Sequence, residues 1–357
     1  MKIQKSHKLL MGAKKVVVKG LVLSMLFTTI LLSGCSQTAS LGDSPVELSL
    51  AHFFPATHPA EKELVEVWGK KIEEATDGKV VITSYPGETL LDADDTYSGV
   101  VDGIADIGLS CFSYNKGRFP VSAAFEQPGI VYKNSKVASM VAWEGIKKLN
   151  PEEVQDTKLL MVIATGPGDI FSKSPVNDLE DLDGMQIRAT GLTADTLELL
   201  GASPVGMPQS EAYEALSRGM VAGNLAPIEV LQTWNHADVT DYITQTPFLY
   251  NNLFYITMNL DTWDSLSTET QDIIVEISEN LHKEDSIALW DRQNEVSLDW
   301  AVNEKGMELM TLSDEETQKW IELVKPLQEK YVSQNGEKAK EALETAKELA
   351  EKYNEKY

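Results

Sequence analysis

The chain has 357 residues, with 55 acidic against 31 basic side chains, a formal net charge of −24 and 43% hydrophobic residues. Such an acidic surface repels phosphate backbones, which excludes nucleic acid as a partner. The apolar share is that of an ordinary folded protein.

Residues 1–34 differ from all that follows. They hold six lysines (Lys2, Lys5, Lys8, Lys14, Lys15 and Lys19), no acid, and then the apolar run "LVLSMLFTTILL". A basic segment ahead of a hydrophobic one is the export-signal pattern. The run is shorter than the ~20 residues a membrane-spanning helix needs and ends in small residues, which argues against an ordinary transmembrane anchor. The box "LSGC" that closes it resembles a bacterial lipoprotein signal, which implies that Cys35 is lipidated and becomes the first mature residue. Cleavage would remove the six lysines and leave 25 basic residues against 55 acidic ones, favouring a soluble monomer tethered outside the cell membrane. Residues 35–45 read as a small, polar tether. With Cys35 acylated, Cys111 has no disulfide partner, and its place after "IADIGLS" marks a small buried residue.

"VELSLAHFF", 46–54, alternates and predicts a first strand. A helix follows, with Leu64, Val67, Trp68, Ile72 and Ala75 at helical spacing and Pro59 near its start. "VVITSYPG", 80–87, is a second strand, followed by a short helix near 93–101, a turn at Asp102–Gly103 and the strand "IADIGLS". This alternation predicts an α/β unit with a largely parallel sheet. The pattern returns with strands at 158–165 and 185–190, a helix at 193–200, a helix at 210–219 opened by Ser210 and closed by Gly219, and the segment "MVAGNLAP". "FYITMN", 254–259, reads as a strand returning to the first unit. Two such units predict two lobes about a cleft. Beyond residue 265 the chain is expected to be helical, with one long helix over 269–300. Capping boxes are expected at Thr268…Gln271 and Ser313…Glu316, and a charged amphipathic helix at the C-terminus.

No nucleophile elbow, P-loop, HExxH or dinucleotide glycine pattern occurs, so neither catalysis nor a cofactor is expected. His52 and His58 lack a clustered third ligand and read as polar residues at the end of the first strand rather than a metal site. The strand ends are more informative, because ligands of open α/β sheets bind beyond the carboxyl ends of strands. Here these read "AHFFPATHP", "LSCFSYNKG", "IATGPG", "IRATG" and "GNLAP". Only four arginines occur, Arg118, Arg188, Arg218 and Arg292, and Arg188 alone falls at one of these ends apart from Arg118 in the loop beyond "LSCFSYNKG". A guanidinium grips a carboxylate or sulfonate with two parallel hydrogen bonds. Equally open from the residues alone is a structural ion pair with Asp183 or Glu198.

The segment "DLEDLDGMQIRATGLTADTLELLGASPVGMPQSEAYEALSRGMVAGNLAP", 178–227, resembles the signature of the solute receptors of tripartite ATP-independent periplasmic (TRAP) transporters, the DctP-like branch. Members read close to "DLKGLKIR" and then "LGA-PVPMP-SE-Y-AL--GVVDG". The N-terminal "H…HP", the "DG-ADIG" turn and "YITMN" followed by "WDSL" resemble the family as well. The resemblance implies a type II, two-lobed periplasmic-binding-protein-like α/β fold with hinge strands, a long lobe-bridging helix and a helical C-terminus. On this reading lobe I spans 46–164 plus 252–264, lobe II spans 165–251, and 265–357 forms the helical region. It also implies that Arg188 anchors a ligand carboxylate and that the solute passes to membrane permease subunits driven by an ion gradient. A second arginine common after the first hinge strand is absent from "TGPGDIF", and the family's "ENP" asparagine position falls on Ala226, with Asn224 two residues earlier. These departures favour a monocarboxylate, with a small sulfonate as the alternative ligand and another importer, a sensory system or an extracellular enzyme as alternative roles. Phe54, Phe112, Tyr114 and Trp234 are expected as apolar walls, and Thr165, Thr190, Gln209 and Asn224 as polar contacts. Closure is expected about hinges near Ala164–Thr165 and Leu249–Asn252.

Overall fold

The computed structural model describes residues 44–249, 251–284 and 288–357; the signal segment, Cys35 and all but the last two residues of the tether lie outside them. Eleven strands are found among the described residues: β1 (Val46–His52), β2 (Val80–Tyr85), β3 (Ile107–Cys111), β4 (Thr157–Ala164), β5 (Asp169–Ser172), β6 (Gln186–Ala189), β7 (Ser203–Gly206), β8 (Gly223–Ala226), β9 (Tyr242–Gln245), β10 (Leu253–Asn259) and β11 (Glu308–Thr311). They form two sheets, ordered β2-β1-β3-β10-β4 and β11-β9-β5-β8-β6-β7.

The largely parallel sheet expected of the first unit is mixed. β1 runs parallel to β2 and β3, whereas β10 lies antiparallel between β3 and β4. The reason is connectivity: β10 is the strand on which the chain returns from the second sheet, so it enters from the opposite end. All seven of its residues are buried, as suits a strand covered on both faces. In the second sheet β5 is antiparallel to β8 and β9, while β6 pairs parallel with both β7 and β8.

The chain crosses between the sheets through residues 165–168, between β4 and β5, and returns between β9 and β10. The crossings are tied together by the Thr165 N–H donating to the Asn252 carbonyl at 3.0 Å. A buried carboxyl braces each end of the second crossing. Asp169 Oδ1 accepts from the Thr246 N–H, and Glu126 Oε1 from the Leu253 N–H, each at 2.7 Å. Burial pushes these acids up to about 7 and about 8, partly opposed by the same N–H groups.

The single helix expected over 269–300 is described as two, Thr268–Glu284 and Leu289–Asn303, with residues 285–287 outside the description. The first is capped by Ser267, not Thr268: the Ser267 hydroxyl accepts from the Thr270 N–H. Trp68, fully buried in the helix Glu66–Ala75, donates from its indole to Ser278 and fastens this helix to the first sheet. The second helix bridges both sheets through hydrogen bonds. Asp291 accepts from the Ser135 N–H at 2.6 Å, at the start of the helix Ser135–Leu149 that covers β4. One turn on, Asn294 accepts from the Glu229 N–H at 2.9 Å. Ser313 caps the helix Asp314–Val324 as expected. The C-terminal helix Pro326–Lys356, bent at Gly336, packs its alanine and leucine stripe on Ser135–Leu149.

Candidate ligand-binding site

The carboxyl ends of the parallel strands face one cavity. β1 runs into Phe53 and Phe54, and β3 ends at Cys111 with Tyr114 just beyond; β10 adds Phe254. From the second sheet come Arg188 in β6, Gln209, Pro227, Glu229, Val230 and Trp234, and from the crossings Thr165 and Asn252. The cavity between these atoms has a volume of about 20 Å³, room for about one water molecule and far below a ligand pocket, so a ligand enters only if the walls part.

Arg188 is 2% exposed. Its position follows from strand register: in β6 it stands opposite Asn224 of β8 and Val205 of β7. The guanidinium donates from Nε to the Met207 carbonyl at 2.9 Å and from Nη1 to Asn224 Oδ1 at 3.4 Å. Among the described residues no carboxylate pairs with it within 4.0 Å, so the structural ion pair with Asp183 or Glu198 does not form. Its neighbours are neutral. The side chains of Asn224 and Gln209 face the two ring nitrogens of His236 at 3.2 and 3.0 Å. Burial, and then the charge of Arg188, push the imidazole down to about 3, so it is uncharged at neutral pH. A neutral ring offers one donor and one acceptor, so the two amides must present opposite atoms to it. A cation buried without a partner costs several kcal/mol unless an anion joins it.

The opposite wall is aromatic. Phe53 stacks on Phe54 at 4.2 Å between centroids, and Phe54 lies within 6.3 Å of His58, Trp234, Phe254 and Trp290. Tyr114 stands edge-on to Phe53, and its hydroxyl accepts from the Gln209 N–H at 3.1 Å, a bond between the two sides of the cavity. Cys111 is buried, receives a hydrogen bond from the Asn252 amide at 3.0 Å, and its thiol is raised by burial.

Of the residues expected from sequence, Arg188, Phe54, Thr165, Gln209, Trp234 and Tyr114 line this cavity, and Asn224 stands behind it on Arg188. Phe112 is placed elsewhere, edge-on to Phe119 and Tyr255, where it borders a separate crevice of about 180 Å³ with Lys116 and Lys330. Thr190 caps the helix Gly191–Leu199, its N–H donating to the Thr193 hydroxyl. Ser210 caps nothing; that helix starts at Gln209, and the Ser210 hydroxyl is buried without a partner. His52 closes β1 and His58 lies in the turn just beyond it, at the end of the first strand. His52 Nε2 meets Glu61 at 2.8 Å and His58 Nε2 meets Glu229 at 3.3 Å, both histidines buried. No cluster suited to a metal is found among the described residues. Glu229, His236, Phe53 and Phe254 are not among the residues expected from sequence, and Asn252 is expected only as part of a hinge. Glu229 had a signal: it is the only acid between Glu214 and Asp238 in a chain crowded with acids.

The pattern of bacterial extracellular solute-binding protein, family 7 (DctP), matches residues 50–335. The chain belongs to this family. Its structural neighbours are TRAP solute receptors. A TRAP periplasmic solute binding protein from Desulfovibrio salexigens is 34% identical, with a TM-score of 0.76 over 88% of this chain and 98% of that one. A marine metagenome TRAP protein described as specific for aromatic acid ligands, crystallised with 3-hydroxybenzoate, is 27% identical, with a TM-score of 0.82 over 87% and 99%. One from Bordetella bronchiseptica, holding (R)- and (S)-mandelate, is 27% identical, with a TM-score of 0.79 over 86% and 99%. In sequence, a solute-binding protein of Roseobacter denitrificans is 29% identical over 215 residues, which span 58% of this chain and 65% of that protein, just under two thirds. This DctP-family receptor thus shares its two-lobed fold with extracytoplasmic solute-binding proteins. Among the described residues no helix is long and apolar enough to cross a membrane.

Proposed function

We propose that this TRAP receptor binds a small monocarboxylate through Arg188, closes its lobes about it and passes it to the membrane permease subunits while held at the cell surface as a monomer by lipid on Cys35. One observation carries the reading: a permanent cation, 2% exposed, lacks a counter-ion among the described residues and is surrounded by neutral amides and a neutral imidazole. An anionic ligand supplies what the site lacks. A single guanidinium among neutral side chains accommodates one negative charge. The neighbours holding 3-hydroxybenzoate and mandelate support a compact ring acid. The two crossings supply the hinges, near Ala164–Thr165 and Leu249–Asn252.

Thermal denaturation with a panel of ring monoacids tests this. A true ligand raises stability by ~2.7 kcal/mol at a hundredfold excess over Kd. Arg188→Ala is expected to abolish the shift, and Arg188→Lys to restore only part of it because a point charge lacks the two-pronged geometry. Undiminished binding to Arg188→Ala refutes the anchor. Tighter binding of benzenesulfonate than of benzoate moves the assignment to sulfonates.

A further inference from the structure

Resting on the reading of Arg188 as the carboxylate anchor, we infer that Glu229 and Trp234 read the other end of the solute, requiring a hydroxyl there and rejecting a second carboxylate. Glu229 is 3% exposed and lies in the same cavity wall as Arg188, yet the two charges do not pair. Its Oε2 accepts from His58 Nε2 and from the Thr233 hydroxyl. Among the described residues its Oε1 receives no hydrogen bond. The main chain of Glu229 is fixed by Asn294, with a longer bond from Ser297, both on the helix Leu289–Asn303. The carboxylate is therefore held in place rather than free to swing toward Arg188.

Trp234 supplies the complementary group. Its indole N–H is buried and has no acceptor, although the ring lines the cavity. Glu229 and Trp234 flank the short helix Val230–Thr233, one at each end. The wall thus offers an acceptor and a donor, both without partners. A hydroxyl answers both, because it donates one hydrogen bond and accepts another. An ammonium would satisfy Glu229 and leave the Trp234 N–H unpaired. A second carboxylate would face Glu229 in a low-dielectric cavity, which opposes binding strongly. Phe53, Phe54 and Phe254 between the two ends favour an aromatic ring as the body.

The test measures dissociation constants by titration calorimetry for benzoate, 3-hydroxybenzoate, 4-hydroxybenzoate, 3-(aminomethyl)benzoate and isophthalate, with mandelate and its unhydroxylated partner phenylacetate as a second pair. Wild-type protein is expected to prefer a hydroxylated acid over its parent at least about tenfold, the size of a hydrogen bond to a charged group, and not to bind isophthalate. Glu229→Leu is expected to reduce that preference, read as the ratio of the two dissociation constants, below about threefold whatever its effect on the parent acid. Glu229→Gln, which keeps an acceptor and removes the charge, retains part of the preference and begins to admit isophthalate. Equal affinity for parent and hydroxylated acids in wild type, tighter binding of the ammonium acid, or a preference that survives Glu229→Leu overturns the inference. If the tightest ligand in a wider screen proves to lack a hydroxyl, the inference falls as well. Binding that Arg188→Ala abolishes, but without hydroxyl preference, refutes the Glu229 role alone; binding indifferent to Arg188→Ala refutes the anchor.

Discussion

The two walls of the cavity are built by different physics. On the second-sheet side, function follows from strand register: Arg188 and Asn224 stand opposite one another because β6 and β8 pair there, and Gln209 and His236 complete a polar network behind them. On the first-sheet side Phe53, Phe54 and Phe254 hold their places by packing against one another and against Trp290. Charge and hydrogen bonding are thus assigned to one lobe and shape to the other. The aromatic wall belongs to a hydrophobic core, so its residues carry stability as well as contact. The polar wall is a cost to folding that a ligand offsets.

The largest difference between the walls should appear in Phe54→Ala. Phe54 is 2% exposed among six ring neighbours, and truncation is expected to cost ~3–5 kcal/mol of stability. Urea unfolding reads this directly; a loss below about 1 kcal/mol would mean that the aromatic wall is not core.

The polar wall should instead betray itself through pH. His236 has an ordinary value of 6.5 and a folded value of about 3. The unfolded chain therefore takes up a proton at a higher pH than the folded one. The folded state has its full stability above 6.5 and loses it progressively as pH falls toward 3. At pH 5 the loss is about 2 kcal/mol, at 1.36 kcal/mol per pH unit. His236→Gln should remove about that much of the difference between melts at pH 7.5 and pH 5. An unchanged acid slope would show that His236 is not held neutral. Phe54→Ala should leave that slope as in wild type.

The smallest effect concerns the bond joining the walls. Tyr114→Phe removes the acceptor of the Gln209 N–H and should weaken binding of 3-hydroxybenzoate about fivefold, near 1 kcal/mol, with little change in the unliganded melting temperature. A large fall in that temperature would instead assign Tyr114 to the core.

The same division governs what was legible in the sequence. Local pattern exposed the helix Glu66–Ala75 and the C-terminal helix, because each presents one apolar face over several turns, and β1, β2 and β4, because each is a β-rich apolar run. The strands β5, β7, β9 and β11 have four residues each, too few for alternation to separate from background, and their existence depends on neighbours supplied by distant segments. The antiparallel place of β10 is a property of the chain path, invisible to periodicity. Within the site, Arg188 was legible because arginine is scarce and sits at a strand end, and Phe54 and Trp234 because large rings adjoin such ends. Glu229 was obscured by the abundance of acids: one carboxylate among 55 is conspicuous only once its burial is known. Phe112 and Thr190 show the converse, for a residue beside a strand end can serve a neighbouring core or cap a helix instead.

Gly191, three residues beyond Arg188, has φ +49°, and a Cβ placed there would stand 3.0 Å from that of Ser113 across the cleft. The helix start that follows the charged strand therefore sets how nearly the facing turn can approach, with its tolerance fixed by a missing methyl group. If Arg188 is the anchor proposed above, recognition and fit would fall within four consecutive residues, and a solute that satisfies the arginine but holds these two segments apart would leave that contact open. Selectivity against oversized acids would then reside in the thickness of one backbone segment.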